Sequence, residues 1–331
     1  MVLRIHFTPE DLARSSFAST PDPLWEVLFS SFRFRDADRH PELAPWAHRV
    51  RNDQSRAVRL GPGVRLLSVI GPRGPYIPDF LTPAASKEGL DAGFDAIMST
   101  PRQRLRAELD RLAQRGPLPD WVRPLSEGDV DFLQRLTTEL RAYHNSAVAP
   151  YQELMQRGVD ADRAARARGM AERGIEGLFS GMGTGVRWQR PILEVEYRVD
   201  KDLYLNGRGL RVVPSFFSRG TADSLADTSL SPILIFPIAQ DSQWTSLSAI
   251  NGRKSLEALM GANRAAVLYA AGPGTTTTEL ANRLGTSLAS VSRHSTVLRN
   301  AGLLKTHRNG SAVVHVLTPL GAALLDHHLS T

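Results

Sequence analysis

Apolar residues recur at helical spacing over much of the first 180 residues, and this pattern predicts a succession of amphipathic helices. The first is expected directly after Thr8, with Thr8 as its N-cap and Pro9 as its first residue. Later helices are expected to begin near Pro23, after Thr100, after Ser126 and near Asp160, the last of them ending at Phe179. Residues 36–83 give little periodic signal, so no element is predicted there.

The apolar spacing then changes to a period of two, which is typical of strands with one buried face. Ile192–Val199 alternates between apolar and polar residues, and Ile233–Phe236 is a short, fully apolar run. Asn206-Gly207 is a strong signal for a two-residue hairpin turn, so we predict a strand pair around it. With a first strand at Val2–Phe7, residues 1–240 are expected to form a helical domain that carries a short antiparallel β-meander.

From Ser255 onward, the local signals predict the order helix, helix, helix, hairpin, helix. Gly285 is placed to end the second helix and Ser287 to cap the third, Ala289–Asn300. The buried face of that third helix is expected to contain its apolar residues, Val291, Val297 and Leu298. Two short helices joined by a turn of three or four residues that contains glycine are typical of a DNA-binding helix-turn-helix.

The hairpin that follows predicts the winged variety of this motif. Leu303–Arg308 is expected to be a strand, Asn309-Gly310 a type I′ turn, and Ser311–Leu317 the returning strand. Thr318 and Pro319 are placed to cap and open a final helix. The overall fold class is therefore expected to be mainly α with a small antiparallel β component (α+β), ending in a winged helix-turn-helix.

The charge is distributed unevenly over the three predicted parts of the chain: an N-terminal domain at 1–240, a linker at 241–252 and a winged helix-turn-helix at 253–331. From residue 251 onward, eight basic residues stand against three acidic ones, a net charge of +5. The first 250 residues carry 32 basic and 31 acidic residues, a net charge of +1. Such a concentration of positive charge favours a polyanionic partner, here double-stranded DNA. The alternative is chance placement of charges on a solvated surface.

Five short segments occur in a characteristic order between about residues 255 and 326. They are Thr278–Ala281, Ser290–His294, Leu298–Leu304, Arg308-x-Gly310 and Leu317-Thr318-x-x-Gly321. In these segments the chain resembles the ArsR/SmtB-type winged-helix transcriptional regulators of bacteria, and as a whole it resembles an actinobacterial group of them with a long N-terminal domain. Thr286, Ser295 and His315 stand where that family usually has an aliphatic residue, leucine and tyrosine.

A recognition helix presents its N-terminal turns to base edges in the major groove, while flanking groups contact phosphates. Expected base contacts are Ser290, Arg293 and Thr296; expected phosphate contacts are Ser287 and Ser292; His294 suits either role. Expected wing contacts to the minor groove or its phosphates are Arg308 and Asn309, with Lys305 and His307 nearby; Arg299 completes the DNA-binding set. The alternatives are serines that only tolerate solvent and a hairpin with incidental charges.

One such module contacts only a few base pairs, too few for selective binding in a genome. The resemblance implies a two-fold homodimer on an inverted repeat, with half-sites about one helical turn apart, and we expect it to act as a repressor. A small-molecule effector bound by the N-terminal domain is the expected input, with its contact residues unassigned. The alternatives are a domain that only dimerises or recruits a protein partner, and an N-terminal enzyme fused to a DNA-binding tail. Five aromatic residues could line an effector pocket, although a core cluster is the default: Trp25, Phe29, Phe32, Phe34 and Trp46.

Catalytic and metal signatures are not found in the sequence. The chain has no cysteine, which excludes disulfides, thiolate metal sites and cysteine nucleophiles. Candidate metal ligands in two places lack suitable spacing or context: Asp36, Asp38, His40 and His48, and then Asp326, His327 and His328. No Gly-x-Ser-x-Gly, His-Glu-x-x-His or phosphate-binding loop of the Walker type occurs. We expect no enzyme activity, no cofactor and no metal.

No stretch approaches the ~18 apolar residues that a membrane span needs, and the N-terminus lacks the pattern of a signal peptide. The expected address is therefore the cytoplasm, at the nucleoid, with no membrane partner.

Overall fold

The computed structural model divides the chain into two compact units, Met1–Gln240 and Asp241–Thr331. Helix predominates over strand, and the strands form three small sheets, so the fold is of mixed α/β type. The described residues are 1–36, 39–40, 43–52, 54–182, 185–238, 256–257, 259–271, 274–309 and 312–330. The predicted linker at 241–252 lies outside them.

Ten α-helices are described in the N-terminal unit. They are α1 (Pro9–Arg14), α2 (Pro23–Arg35), α3 (Ala44–Asn52), α4 (Gln54–Ile70), α5 (Leu90–Met98), α6 (Arg102–Ala113), α7 (Arg123–Ser126), α8 (Val130–Tyr143), α9 (Gln152–Arg173) and α10 (Ile175–Phe179). The helices expected near Pro23, after Thr100 and after Ser126 are confirmed as α2, α6 and α8, whereas α9 begins eight residues before the expected Asp160. Residues 36–83, which gave no periodic signal, contain α3 and α4.

The start of α1 follows directly from its sequence. The Thr8 hydroxyl accepts a hydrogen bond from the Asp11 N–H, and the Asp11 carboxylate accepts one from the Thr8 N–H in return. Pro9 occupies the first turn, where its missing N–H costs no hydrogen bond. The predicted N-cap is therefore confirmed.

Two small sheets account for the strands of the N-terminal unit. The strands are β1 (Val2–His6), β2 (Ser16–Phe17), β3 (Val186–Gln189), β4 (Ile192–Glu196), β5 (Lys201–Tyr204), β6 (Arg211–Ser215) and β7 (Ile233–Pro237). The first sheet has the order β3-β4-β1-β5, with β5 parallel to β1 and the other pairs antiparallel. The second has the order β2-β6-β7 and is entirely parallel. The predicted antiparallel β-meander is therefore wrong, because β1 and β2, from the beginning of the chain, pair with strands about 200 residues later.

The predicted strand pair around Asn206-Gly207 is also wrong, although a turn does occur there. Both residues have positive φ, 53° and 79°, as a tight turn of this composition requires. The strands on either side do not pair with each other: β5 adds to β1, and β6 lies between β2 and β7 in the other sheet. The Asp11 carboxylate accepts a hydrogen bond from the Gly209 N–H at 2.9 Å, which directs the chain away from β5.

The C-terminal unit places its elements in the predicted order, with one additional short strand. They are α11 (Ala262–Ala271), β8 (Thr275–Thr276), α12 (Thr277–Leu284), α13 (Leu288–Asn300), β9 (Leu304–Asn309), β10 (Ala312–Leu317) and α14 (Pro319–Ser330). The three strands form an antiparallel sheet in the order β8-β10-β9. The predicted turn at Asn309-Gly310 includes residues outside the described part of the chain.

The core of the C-terminal unit lies between its helices and the base of the hairpin. Its fully or nearly fully buried members include Ala265, Leu268, Leu280, Val291, Leu298 and Leu304. At Gly321 the final helix lies so close to the hairpin that a Cβ atom would overlap the Leu303 carbonyl. The unit therefore has its own apolar core, and α13 contributes one side of it.

None of the described helices combines the length and the apolar character that crossing a bilayer requires.

Candidate nucleic-acid interface

A three-residue turn joins α12 to α13. The hydrogen bonds that begin α12, end it and begin α13 are formed between residues close together in the sequence. The Thr276 hydroxyl caps α12 by accepting from the Glu279 N–H, and the Glu279 carboxylate accepts from the Thr276 N–H. The hydrogen bond from the Thr276 N–H lowers the pKa of Glu279 below its usual range. Gly285 ends α12 in the left-handed conformation, with φ of 58°, and the Ser287 hydroxyl accepts from the Ser290 N–H at 3.2 Å.

The buried side of α13 differs from the predicted one. Its buried residues are Val291, Ser295 and Leu298, whereas Val297 is 42% exposed. Residues at i, i+4 and i+7 form one stripe along a helix of 3.6 residues per turn, but a residue at i+6 lies about 120° away from that stripe. The expectation that Val297 is buried was therefore wrong, and a serine takes a core position instead.

This orientation leaves Arg293 on the exposed side of α13. Arg293 lies about 200° around the helix from Val291, almost opposite the core, and Thr296 is exposed beside it. The Thr296 hydroxyl donates to the Ser292 carbonyl at 2.9 Å. Ser290 and His294 are half-buried and flank this face, while Ser287, Ser292 and Arg299 are exposed.

Strand β9 carries the predicted wing residues. Lys305, His307 and Arg308 are exposed, and their backbones pair with those of Val316, Val314 and Val313 on β10. Asn309 is the last residue of β9, and its side chain lies outside the described part of the structure.

Two open depressions bring several of these residues together. One, of about 630 Å³, collects Arg299 from α13 and Lys305 and His307 from β9. The other, of about 440 Å³, places Ser292 beside Thr276–Thr278 at the start of α12. Arg293, Thr296 and Arg308 line neither depression. The sequence signal for this hydroxyl-rich surface was the run of threonines Thr276–Thr278, which was not among the predicted DNA contacts.

Four exposed cations of the C-terminal unit form no ion pair with a carboxylate among the described residues. The ion pairs between described residues all lie within residues 4–223 of the N-terminal unit. Within the described part of the chain, no ion pair involves Arg293, Arg299, Lys305 or Arg308. The positive charge of these side chains is therefore available to an external anion.

His315 connects the hairpin to the start of α12. Its imidazole is 4% exposed, with Nε2 at 3.0 Å from the Thr277 hydroxyl and Nδ1 at 3.4 Å from the Thr306 hydroxyl. Burial, and then the positive charge of Arg299, lowers the pKa of His315 below its ordinary value of 6.5. The neutral imidazole is thus the form that fits this position.

We expect the stability contribution of His315 to be lost as pH falls. Because the folded-state pKa is lower than the unfolded one, the unfolded chain binds more protons between the two values, and the free energy of unfolding decreases below about pH 6.5. His315→Gln, which retains hydrogen-bonding capacity without titrating, should lose less stability than the wild type between pH 7 and pH 5. Urea unfolding at both pH values measures the difference. An identical loss in both proteins would show that protonation of His315 does not cause the loss of stability at low pH.

Ser295 is the polar member of the buried stripe, and its Oγ atom has no hydrogen-bond partner among the described residues. A buried hydroxyl without a partner is unfavourable, and alanine has the higher helix propensity. Ser295→Ala should therefore raise the free energy of unfolding by about 1 kcal/mol. Urea unfolding of the full-length chain measures this, with the exposed Ser292→Ala as control. A variant less stable than the wild type would show that the Ser295 hydroxyl is satisfied.

Potential metal ligands do not converge where the structure describes them. Among the described residues, no group of three histidine, aspartate or glutamate side chains could hold a metal ion together. Asp38 and the side chains of Asp326, His327 and His328 lie outside those residues.

Comparison of the chain with protein-family models, with curated proteins and with solved structures gave no match.

Proposed function

We propose that the C-terminal unit is a winged helix-turn-helix and that the protein is a sequence-specific, double-stranded DNA-binding transcriptional regulator without enzyme activity. One observation carries this proposal. A helix joined to its neighbour by a three-residue turn presents Arg293 away from the core, and the exposed cations around it make no ion pair within the described residues. Exposed cations left without carboxylate partners suit the regular phosphate charges of a duplex.

In this proposal α13 lies in the major groove. Arg293, with Thr296 one turn further along the same face, contacts base edges, where an arginine forms a bidentate pair with guanine. Ser287, Ser292 and the exposed Thr278 at the start of α12 donate to phosphates on one side of the groove. Arg299, Lys305 and His307, which line the first depression, contact the backbone on the other side. Arg308 and Asn309, at the end of β9, extend toward the minor groove.

A homodimer on an inverted repeat completes the proposal. One α13 covers too few base pairs to select a site in a genome, so a second copy is required for specificity. We further propose that the protein is a cytoplasmic repressor. The N-terminal unit then provides dimerisation, recruitment of a protein partner or binding of a small molecule.

Selection from a library of random duplexes tests this function. The full-length chain is expected to enrich an inverted repeat whose half-sites are about 10 base pairs apart from centre to centre. Sedimentation of the protein with the enriched duplex should give two chains per duplex. Failure to enrich any sequence would contradict the specific function, whereas enrichment of single half-sites would contradict the dimer alone.

A further inference from the structure

A cavity of about 450 Å³ lies in the N-terminal unit, where the strands of the parallel sheet begin. Ser16 of β2, Arg211 of β6 and Ile233 of β7 line it, and Trp25 from the first turn of α2 closes one side. The volume is within the range of small-molecule sites, and the walls combine apolar and polar groups as such sites do. The cavity is formed by residues of one unit only.

One wall of the cavity is apolar. Trp25 is 3% exposed, and Leu210 and Ile233 are buried beside the cavity. The indole N–H of Trp25 has no acceptor within the described part of the chain, although the indole N–H of Trp46 donates to the Ala147 carbonyl. The small accessible part of Trp25 therefore offers a free donor, whereas its ring is stacked on Phe29. Of the five aromatic residues considered from the sequence, it alone lines this cavity.

The polar side of the cavity has more basic than acidic residues. Arg14, Lys87, Arg208 and Arg211 line it, and the one carboxylate among the lining residues is Asp22. Two of these cations are already engaged. Arg14 pairs with Glu10 at 2.7 Å and donates to the Gly207 carbonyl. Arg208 donates to backbone carbonyls around it, those of Tyr204, Leu205, Thr228 and Leu230.

Arg211 and Lys87 are the cations left for a ligand. Arg211 uses Nη1 to contact the buried Asp22 carboxylate at 3.2 Å, and its remaining guanidinium donors have no side-chain partner among the described residues. Among the described residues, Lys87 has only a 4.0 Å contact with the exposed Glu88. Asp22 is itself held by the Ser86 hydroxyl at 2.8 Å, so the guanidinium is fixed in place. Two available cations suit one carboxylate better than a polyphosphate.

We propose that this cavity binds a small carboxylic acid with an apolar body, with its carboxylate between Arg211 and Lys87 and its apolar body along the wall that contains Trp25. The planar guanidinium matches a carboxylate through two parallel hydrogen bonds, and the apolar wall removes the body of the ligand from water. The inference goes beyond the proposed DNA binding and does not depend on it, because the ligand is held within the N-terminal unit.

Calorimetric titration of the full-length chain tests the proposal without DNA. The probes are 2-naphthoate and its neutral analogue 2-naphthamide, which has the same ring system but no charge. Naphthoate is expected to bind saturably with one site per chain. The affinity of the amide is expected to be lower by a factor of about ten or more, because charge-assisted hydrogen bonds are lost. Absence of saturable naphthoate binding to the folded protein would overturn the proposal, as would equal affinity for the two probes.

Three variants locate the site. Lys87→Gln removes an exposed cation whose one ion pair within the described part of the chain is with Glu88, and it should weaken naphthoate binding about fivefold or more. Ser231→Trp fills the cavity from its exposed rim and should abolish binding. Arg168→Gln, which removes an exposed cation on α9 that does not line the cavity, should leave binding unchanged.

Arg211 is left intact, because its loss would leave the buried Asp22 carboxylate unpaired. Unfolding temperatures close to that of the wild type establish that the variants are folded, and unaltered naphthoate affinity in Ser231→Trp would overturn the assignment.

Discussion

Arg293→Ala should weaken binding of the full-length chain to its selected duplex by about 1–3 kcal/mol and reduce discrimination at one base position of each half-site. Arg293 lies opposite the buried stripe of α13 and has no ion pair within the described residues, so its guanidinium is available to a guanine edge. Fluorescence anisotropy with the selected duplex and with single-base variants of it measures both effects.

Arg308→Ala is the matched comparison, because it removes the same charge from the end of β9. It should weaken binding to all duplexes about equally and make the salt dependence shallower, as expected for a phosphate contact. Arg293→Lys, which keeps the charge but loses the planar fork, should resemble Arg293→Ala in specificity. If Arg293→Ala weakened specific and random duplexes to the same extent, Arg293 would be a phosphate contact and the assignment to a base would be wrong.

Gly177→Ala should destabilise the N-terminal unit by about 3 kcal/mol or more, the largest stability effect expected for a single methyl group here. A Cβ atom at Gly177 would overlap the carbonyl group of Gly169, because α9 and α10 contact each other through their backbones at these two glycines. A backbone cannot move aside as a flexible side chain can. Urea unfolding followed by tryptophan fluorescence measures the loss.

Other interactions near Gly169 and Gly177 oppose the separation of α9 from α10 that an added methyl group would require. Arg166, from α9, is buried between its paired Asp162, at 2.7 Å, and the carbonyl of Leu178. Separating the helices would therefore also disturb a buried ion pair, which is costly to break. Gly116→Ala is the control, because nothing lies within 4 Å of a Cβ atom there and its φ is not positive. Equal stability of the two variants would contradict the close helix contact.

Features set by neighbouring residues could be predicted from the sequence. Thr8, Pro9 and Asp11 determine the start of α1 by hydrogen bonds within four residues. The order of elements in the C-terminal unit follows in the same way, because Gly285 and Ser287 mark the turn between α12 and α13. Capping and turn chemistry act locally, so a single sequence contains the required information.

Features set by distant partners could not be predicted. The Asn206-Gly207 turn was correctly located, but nothing near it shows that β5 pairs with β1 or that β6 pairs with β2. In α13, the apolar residues suggested a face containing Val297, whereas packing selects the stripe with Ser295. For the candidate interface, the residue types could be predicted from the sequence. Their grouping could not, because Arg299 and Lys305 share a depression only through the packing of α13 against β9.

The most direct test of DNA binding is the salt dependence of the equilibrium between the full-length chain and its selected duplex. Anisotropy is measured from about 50 to 200 mM salt for the wild type and for the triple variant Arg299→Gln, Lys305→Gln, Arg308→Gln. The affinity of the wild type should fall steeply with salt, and the logarithmic slope should become shallower by about 0.9 for each phosphate contact removed, or roughly 2.7 units per chain. Absence of wild-type binding at 50 mM salt, or the same slope in both proteins, would contradict the account.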